Sequence, residues 1–462
     1  MTLLRQAAAK PTISVNYVEL LNERLPDVPE SERAWPILLQ ALEAMEEAPS
    51  HNETLSWRDE YWPQFREWVE ANQRGIELAQ EAVRKPHLGY VYGAAPSEAE
   101  LRVWSGWEWE RRPYDAQVDP LMTLPAPTAG AFNRVEKALY LEVLTAVEAG
   151  NSERAVRAIE SLLRLAGLTD EAVLFIDQLV GQRIRRKVCK VIAVTLEHNA
   201  GLLSDEDLIK LDTAIAGIAA SGRNQLRLHN ERFSFYDLLQ RLYTDDGKGS
   251  GILTRQALYL MNALSNGTER QYEPRAADVP MACYLNFVVG DRRTQRQKYD
   301  EIMDLAEAWT LQPRWEWSGN PVEAVLESLP ADGKRYLPLG IFCPALGMAA
   351  ARQEQTQQWL DVAQTTIAIE RCRRMRGNWP ADLQALTPDF LEIIPPDRFD
   401  GNPLKYRLID GQPVLYSVGP DGDDDDGQWL EDDAWLWMPL EEGEQPRDGD
   451  VLFFDASAGG IQ

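Results

Sequence analysis

At 462 residues the chain has room for about two to four domains, each with its own core. Its composition is that of a globular protein, 44% hydrophobic and 26% charged, but its formal net charge is −26. That charge argues against nucleic acid and anionic membrane surfaces as partners and favours cations and basic partners.

The four cysteines, Cys189, Cys283, Cys343 and Cys372, stand far apart with no CxxC spacing, and His51, His87, His198 and His229 are equally scattered. Neither pattern suggests a zinc site or a disulfide framework. The N-terminus has no apolar stretch of signal-peptide length, and no window approaches the ~20 apolar residues of a spanning helix. The nearest approach, 336–351, is shorter and holds Pro338 and Pro344. The chain on its own is therefore expected to be soluble, with no direct insertion into a membrane.

Residues 1–130 form a first region, rich in Trp and Pro and mostly helical. Helices are expected over 14–24, 31–47 and 62–85; in the last, Trp62, Phe65, Trp68, Val69, Ile76 and Ala79 recur on one helical face. Trp104, Trp107 and Trp109 follow. A core stripe is one reading of these aromatics. The alternative is a sugar platform, which would make the protein a carbohydrate-active enzyme with Trp57, Trp62, Trp104 or Trp107 lining a cleft between two carboxylates.

A second region, 131–335, is helical almost throughout and is expected to form a bundle or hairpin array. Helices are predicted over 134–149, 152–165, 170–198 and 204–219, the second capped by Ser152 and the last opened by acids that suit its dipole. Paired helices with short turns resemble a helical repeat, without a clean 34-residue period. Predicted helices at 233–243 and 255–264 flank Thr244-Asp245-Asp246-Gly247-Lys248-Gly249-Ser250-Gly251, which resembles an EF-hand loop. With Asp246 at position one, Gly251 falls at the sharp turn, but Lys248 takes position three and Ala257 the place of the bidentate Glu, so a structural turn is expected. Helices over 292–311 and 322–329 complete the region.

A third region, 340–462, changes character. A long helix is predicted over 346–376, with Trp359, Val362, Ala363, Thr366 and Ile369 on one face and Gly377 as its stop. Alternating segments at 404–408 and 414–416 around Asp410-Gly411 give a hairpin signal. Further strands are expected at 435–438 and 451–454. Between 421 and 450 stand 13 acidic residues against the single base Arg447, so nearly half of the net charge lies in this window. Trp429, Trp435, Leu436 and Trp437 interrupt it, so part of it should pack rather than remain a solvated tail.

The order of these elements resembles the globular half of type IV pilin-like proteins, most closely the major pseudopilin of type II secretion. Gly340-Ile341-Phe342-Cys343-Pro344-Ala345-Leu346 resembles the second half of the pilin helix. Ile367-Ala368-Ile369-Glu370, leading to Arg376-Gly377-Asn378-Trp379-Pro380, resembles the helix end and its exit. Gly401-Asn402-Pro403-Leu404-Lys405-Tyr406 resembles the strand that follows. Tyr416-Ser417-Val418-Gly419-Pro420-Asp421-Gly422 resembles the entry of the calcium loop, and Asp432-Asp433-Ala434-Trp435 its later acidic pair. The match covers about residues 340–440. Pilins open with a leader and an apolar helix, whereas more than 300 residues precede Gly340 here. The chain is therefore not expected to be a prepilin-peptidase substrate or a pilus subunit. The whole layout resembles uncharacterised bacterial proteins that join a helical N-terminal region to such a tail, often behind a membrane anchor.

The resemblance implies a structural calcium site using carbonyls around Ser417 and Val418 with Asp421, Asp432 and Asp433, to which the run Asp423, Asp424, Asp425 and Asp426 could add or for which it could substitute. Calcium takes six to eight oxygens in flexible geometry, which an acidic glycine loop can supply. No nucleophile elbow, phosphate loop, HExxH or dinucleotide fingerprint is present. The expectation is a mainly α protein with a small C-terminal α+β pseudopilin-like domain. It is read as a non-enzymatic interaction or scaffold protein with a protein partner, on the envelope side if an anchor lies upstream and otherwise in the cytoplasm.

Overall fold

The computed structural model describes residues 2–23, 25, 27–50, 59–104, 113–222, 224–265, 275–343, 346–426, 428–440 and 443–456. Trp57, Trp107, Trp109, Pro344 and Gly427 lie outside the described residues. The fold is mainly helical, with one small four-stranded sheet at the C-terminal end.

In the first region the stripe starting at Trp62 is split into two helices, Trp62–Ala71 and Gln73–Ala82. Asn72 breaks it, with φ −105° and ψ 18°. Its side chain donates to the Trp68 carbonyl at 2.8 Å and accepts the Glu46 N–H at 2.8 Å, a local competition for backbone groups that disfavours a continuous helix. The expected apolar face survives the break: Trp62, Phe65, Trp68, Val69, Ile76 and Ala79 are all buried.

Four long helices follow, Pro127–Glu148, Ser152–Thr169, Phe175–Asn199 and Asp205–Ala220. The first begins earlier than its apolar pattern, because Pro127 occupies the opening turn, where a missing N–H costs nothing. Gly150, at φ 65°, ends it. Asn151 rather than Ser152 caps the next, its side chain accepting the Arg154 N–H at 3.1 Å. The first three pack on one another in succession, a helical array as expected.

Through the middle of the molecule runs the Leu346–Arg376 helix, with the bounds the sequence indicates. It is buried nearly all round, unlike an amphipathic surface helix, and many of its buried residues are polar. Some find partners on neighbouring elements and others within the helix itself. Gln353 accepts from Leu226 N at 2.8 Å and donates to Thr310 O at 2.6 Å. Gln358 accepts from Arg398 N at 2.7 Å, and Glu370 takes both Arg373 and Arg374 at 2.6 Å. Satisfied polar pairs of this kind fix helix register more than they add stability.

Beyond it lie β1 (Lys405–Ile409), β2 (Gln412–Ser417), β3 (Trp429–Leu430) and β4 (Asp450–Asp455), in the sheet order β1-β2-β4-β3. β1 and β2 form the expected hairpin, Lys405 opposite Tyr416 and Ile409 opposite Gln412. Asp410 and Gly411 turn it with φ of 51° and 79°, the left-handed pair that a two-residue hairpin needs. β4 pairs antiparallel with β2, and short β3 runs parallel to β4. Residues 435–437 are a 3-10 turn rather than a strand. Trp437 is fully buried there, its ring 4.5 Å from that of Phe399, so packing against a loop overrides the strand propensity of the aromatic run.

Buried apolar side chains gather into two cores. The larger joins the N-terminal helices, the 127–220 array, the second half of the Leu346–Arg376 helix and the sheet. The smaller lies under residues 226–350 and includes Tyr243, Tyr299, Trp309 and Leu346. The sheet is held to the helices by Trp359, whose ring meets Phe453 edge-on at 5.1 Å. Among the described residues no helix is long and apolar enough to cross a membrane.

Candidate metal centre

After β2 the chain enters the glycine-rich loop and is pressed onto the segment that opens β4. Gly419, at φ 70°, lies so close to that segment that a Cβ there would stand 2.2 Å from the Gly449 carbonyl oxygen. Both positions need glycine: Gly449 has φ 132°. The Gly449 N–H then donates to Asp421 Oδ2 at 2.8 Å, the Asp450 N–H to the Gln428 carbonyl at 2.8 Å, and the Asp425 N–H to Asp450 Oδ2 at 3.2 Å.

This arrangement brings four carboxylates together. One oxygen from each of Asp421, Asp423, Asp425 and Asp448 lies within 4.8 Å of the other three, a set that could hold a metal ion. Asp421 Oδ1 and Asp425 Oδ2 are screened from solvent and receive no hydrogen bond. Burial, followed by the charges of Asp421, Asp448, Asp423 and Asp424, pushes the Asp425 carboxyl above the usual range. Gathered anions with unpaired oxygens are the arrangement a bound cation would relieve.

The residues expected from the sequence divide. Asp421 and Asp423 are in the cluster. Asp424 faces away from it, accepting the Tyr416 hydroxyl at 3.1 Å. Ser417 and Val418 are buried and tied to Asp397, which accepts the Ser417 hydroxyl at 2.8 Å and the Val418 N–H at 3.0 Å. Asp432 is buried among the helices: Lys190 lies 2.9 Å away, and Trp359 Nε1, Trp437 Nε1 and Gln355 Nε2 donate at 2.7, 2.8 and 2.8 Å. Asp433 caps the 435–437 turn through Leu436 N at 2.9 Å and pairs with Arg447 at 3.0 Å. Asp425 belongs to the Asp423–Asp426 run that the sequence offered as added or substitute ligands, whereas Asp448 is the member the sequence reading did not single out. The alternating Asp421, Asp423 and Asp425 carry a signal for the first, since alternate positions of a tight acidic loop supply oxygens to one centre. Asp448 has no local signal; pairing of β4 with β2 brings it in.

The EF-hand-like loop is a closed structural turn. Thr244 N bonds to the Ile252 carbonyl at 2.9 Å, Asp246 Oδ1 accepts Lys248 N at 2.8 Å, and Asp245 pairs with Arg292 at 3.5 Å. Trp62 and Trp104 are core residues. Trp62 donates to Glu148 at 2.8 Å, and Trp104 stacks on Trp35 with centroids 5.8 Å apart, so neither offers an open face to a sugar.

No family model, no curated protein and no solved structure matches the chain.

Proposed function

We propose that the protein is a non-enzymatic interaction protein, a helical body carrying a calcium-stabilised C-terminal module of pseudopilin-like kind. The observation that carries this reading is the convergence of Asp421, Asp423, Asp425 and Asp448, with Asp421 Oδ1 and Asp425 Oδ2 shielded and unpaired. Oxygens around calcium lie 2.3–2.6 Å from it, so facing ligands stand at most about 5 Å apart. The cluster lies within that spread, and acidic oxygen ligands suit a hard cation that accepts flexible geometry. The ion joins the loop after β2 to the start of β4. It therefore fixes β4 between β2 and β3 and through it the sheet on the helices.

Two further features favour an interaction role. The central polar helix is spent on internal contacts, and the described tryptophans of the sugar-platform alternative lie in the core. An envelope-side location, where calcium is plentiful, fits the resemblance, and the partner is a protein. Thermal melting in millimolar calcium against chelator tests the reading. At about a hundredfold over Kd the ion adds about 2.7 kcal/mol, a rise of several degrees. An unchanged melting temperature would sink it.

A further inference from the structure

One buried guanidinium lacks the counter-charge that its neighbours have. Along the Phe175–Asn199 helix, Arg183 and Lys187 share the buried Glu136 at 3.1 and 2.7 Å, and Lys190 reaches Asp432 at 2.9 Å. Arg186 on the same helix is only 8% exposed, and its hydrogen bond goes from Nη1 to the neutral Thr356 hydroxyl at 3.3 Å. No carboxylate of the described residues lies within ion-pair distance of it. Thr356 donates in turn to the Arg352 carbonyl at 2.7 Å, and the Arg352 guanidinium, whose Nη1 donates to the neutral Gln355 Oε1 at 3.2 Å, is close enough for its charge to act on Arg186. Burial first, and then the Arg352 charge, bring the Arg186 guanidinium down to about 10. Asp432 faces this region, but its oxygens are taken by Lys190, Gln355, Trp359 and Trp437.

A buried charge without a partner is strongly unfavourable, and a second cation beside it makes it more so. An anion is the group that would relieve both. We propose that Arg186 and Arg352 form a binding site for a small oxyanion group, a carboxylate or a phosphate, at the seam between the Phe175–Asn199 and Leu346–Arg376 helices. The guanidinium donors match such oxygens in geometry and stay charged across the working pH range. Two more cations of the same helix reach solvent beside it: the side chains of Arg183 and Lys190 are 43% and 35% exposed. In a chain of net charge −26 this seam concentrates positive charge. The ligand is either a free ion or an acidic side chain of a partner protein, and the chemistry is the same.

The test is a melting-temperature titration of the full chain with orthophosphate and with acetate at constant ionic strength, repeated on Arg186→Gln, Arg352→Gln and Lys187→Gln. Each anion should raise the melting temperature. Arg352→Gln, which changes a half-buried residue and should fold, should weaken apparent affinity about tenfold, as loss of a charge-assisted hydrogen bond does. Arg186→Gln should abolish the effect, while Lys187→Gln should retain it. A glutamate-rich peptide that binds more tightly than acetate, and depends on the same two arginines, identifies the source as a protein carboxylate. A peptide no better than acetate identifies a free anion. No shift with either anion, or an equal shift in Arg352→Gln and wild type, overturns the proposal.

Discussion

At Asp432 four donors converge on one carboxylate, and the result is a structural pin. Burial would push this carboxyl up, but Lys190, Gln355 and Trp359 hold it below the usual range. A depressed carboxyl contributes stability that is present above its unfolded value and is lost as pH falls through the folded one. Its contribution therefore persists to pH values below the ordinary aspartate range. Asp432→Ala would strip partners from two indoles and Gln355 and leave Lys190 without its counter-ion. A loss of about 3–5 kcal/mol is expected, read as a lower midpoint in urea. A loss within 0.5 kcal/mol would mean the pocket rehydrates freely. Next to Trp435 and Trp437 the residue looked, in one dimension, like half of an acidic ligand pair. Its burial between the Phe175–Asn199 and Leu346–Arg376 helices is set by residues far away in sequence.

At the scale of elements, local chemistry carried much of the information. Gly377, at φ 79°, ends the long helix where the sequence indicates, and Asp410-Gly411 turns the hairpin. Both are punctuated by residues whose backbone needs are strong. Propensity gave way where tertiary contacts decide, as at Asn72, which splits one helix into two, and at 435–437, where a buried Trp437 turns an expected strand into a 3-10 turn. The metal centre was half legible for the same reason: Asp421 and Asp423 belong to one loop, whereas Asp448 arrives only through strand pairing. The EF-hand-like loop makes a sharp prediction of its own. A Cβ at Gly251 would lie 1.9 Å from the Thr244 carbonyl oxygen, which is backbone and cannot step aside. Gly251→Ala should cost roughly 1–3 kcal/mol, measured by chemical denaturation, because the closed turn must open. Calcium should not protect against it, since Asp245 and Asp246 are already occupied within the turn.

For the whole molecule, the buried carboxylates that burial raises and the net charge act in one direction. Burial pushes Asp177, Asp361 and Asp397 up to about 6 and Glu197, which accepts the Asp455 N–H of β4 at 2.8 Å, up to about 8. Their ordinary values are 3.8 and 4.5. Between those limits the folded chain retains protons that the unfolded chain has released, so stability falls as pH rises through the window. Self-repulsion of the acidic chain adds to the fall. The melting temperature should therefore decline from pH 5 to pH 8. Glu197→Gln, whose amide oxygen can still accept the Asp455 N–H, should flatten the part between pH 6 and 8. An unaltered slope in that variant would assign the decline to the surface charge alone.

The acidic cluster joins these scales, since single carboxylates on a loop and at a strand start would set how the whole C-terminal module is held. Calorimetric titration of calcium into chelator-stripped protein tests this most directly, with Asp425→Asn and Asp448→Asn beside the wild type. The account predicts one ion bound per chain and at least about tenfold weaker binding in each variant, as for losing one charged ligand. Wild-type protein that takes up no calcium, or variants that bind it as tightly as the wild type, would contradict the account.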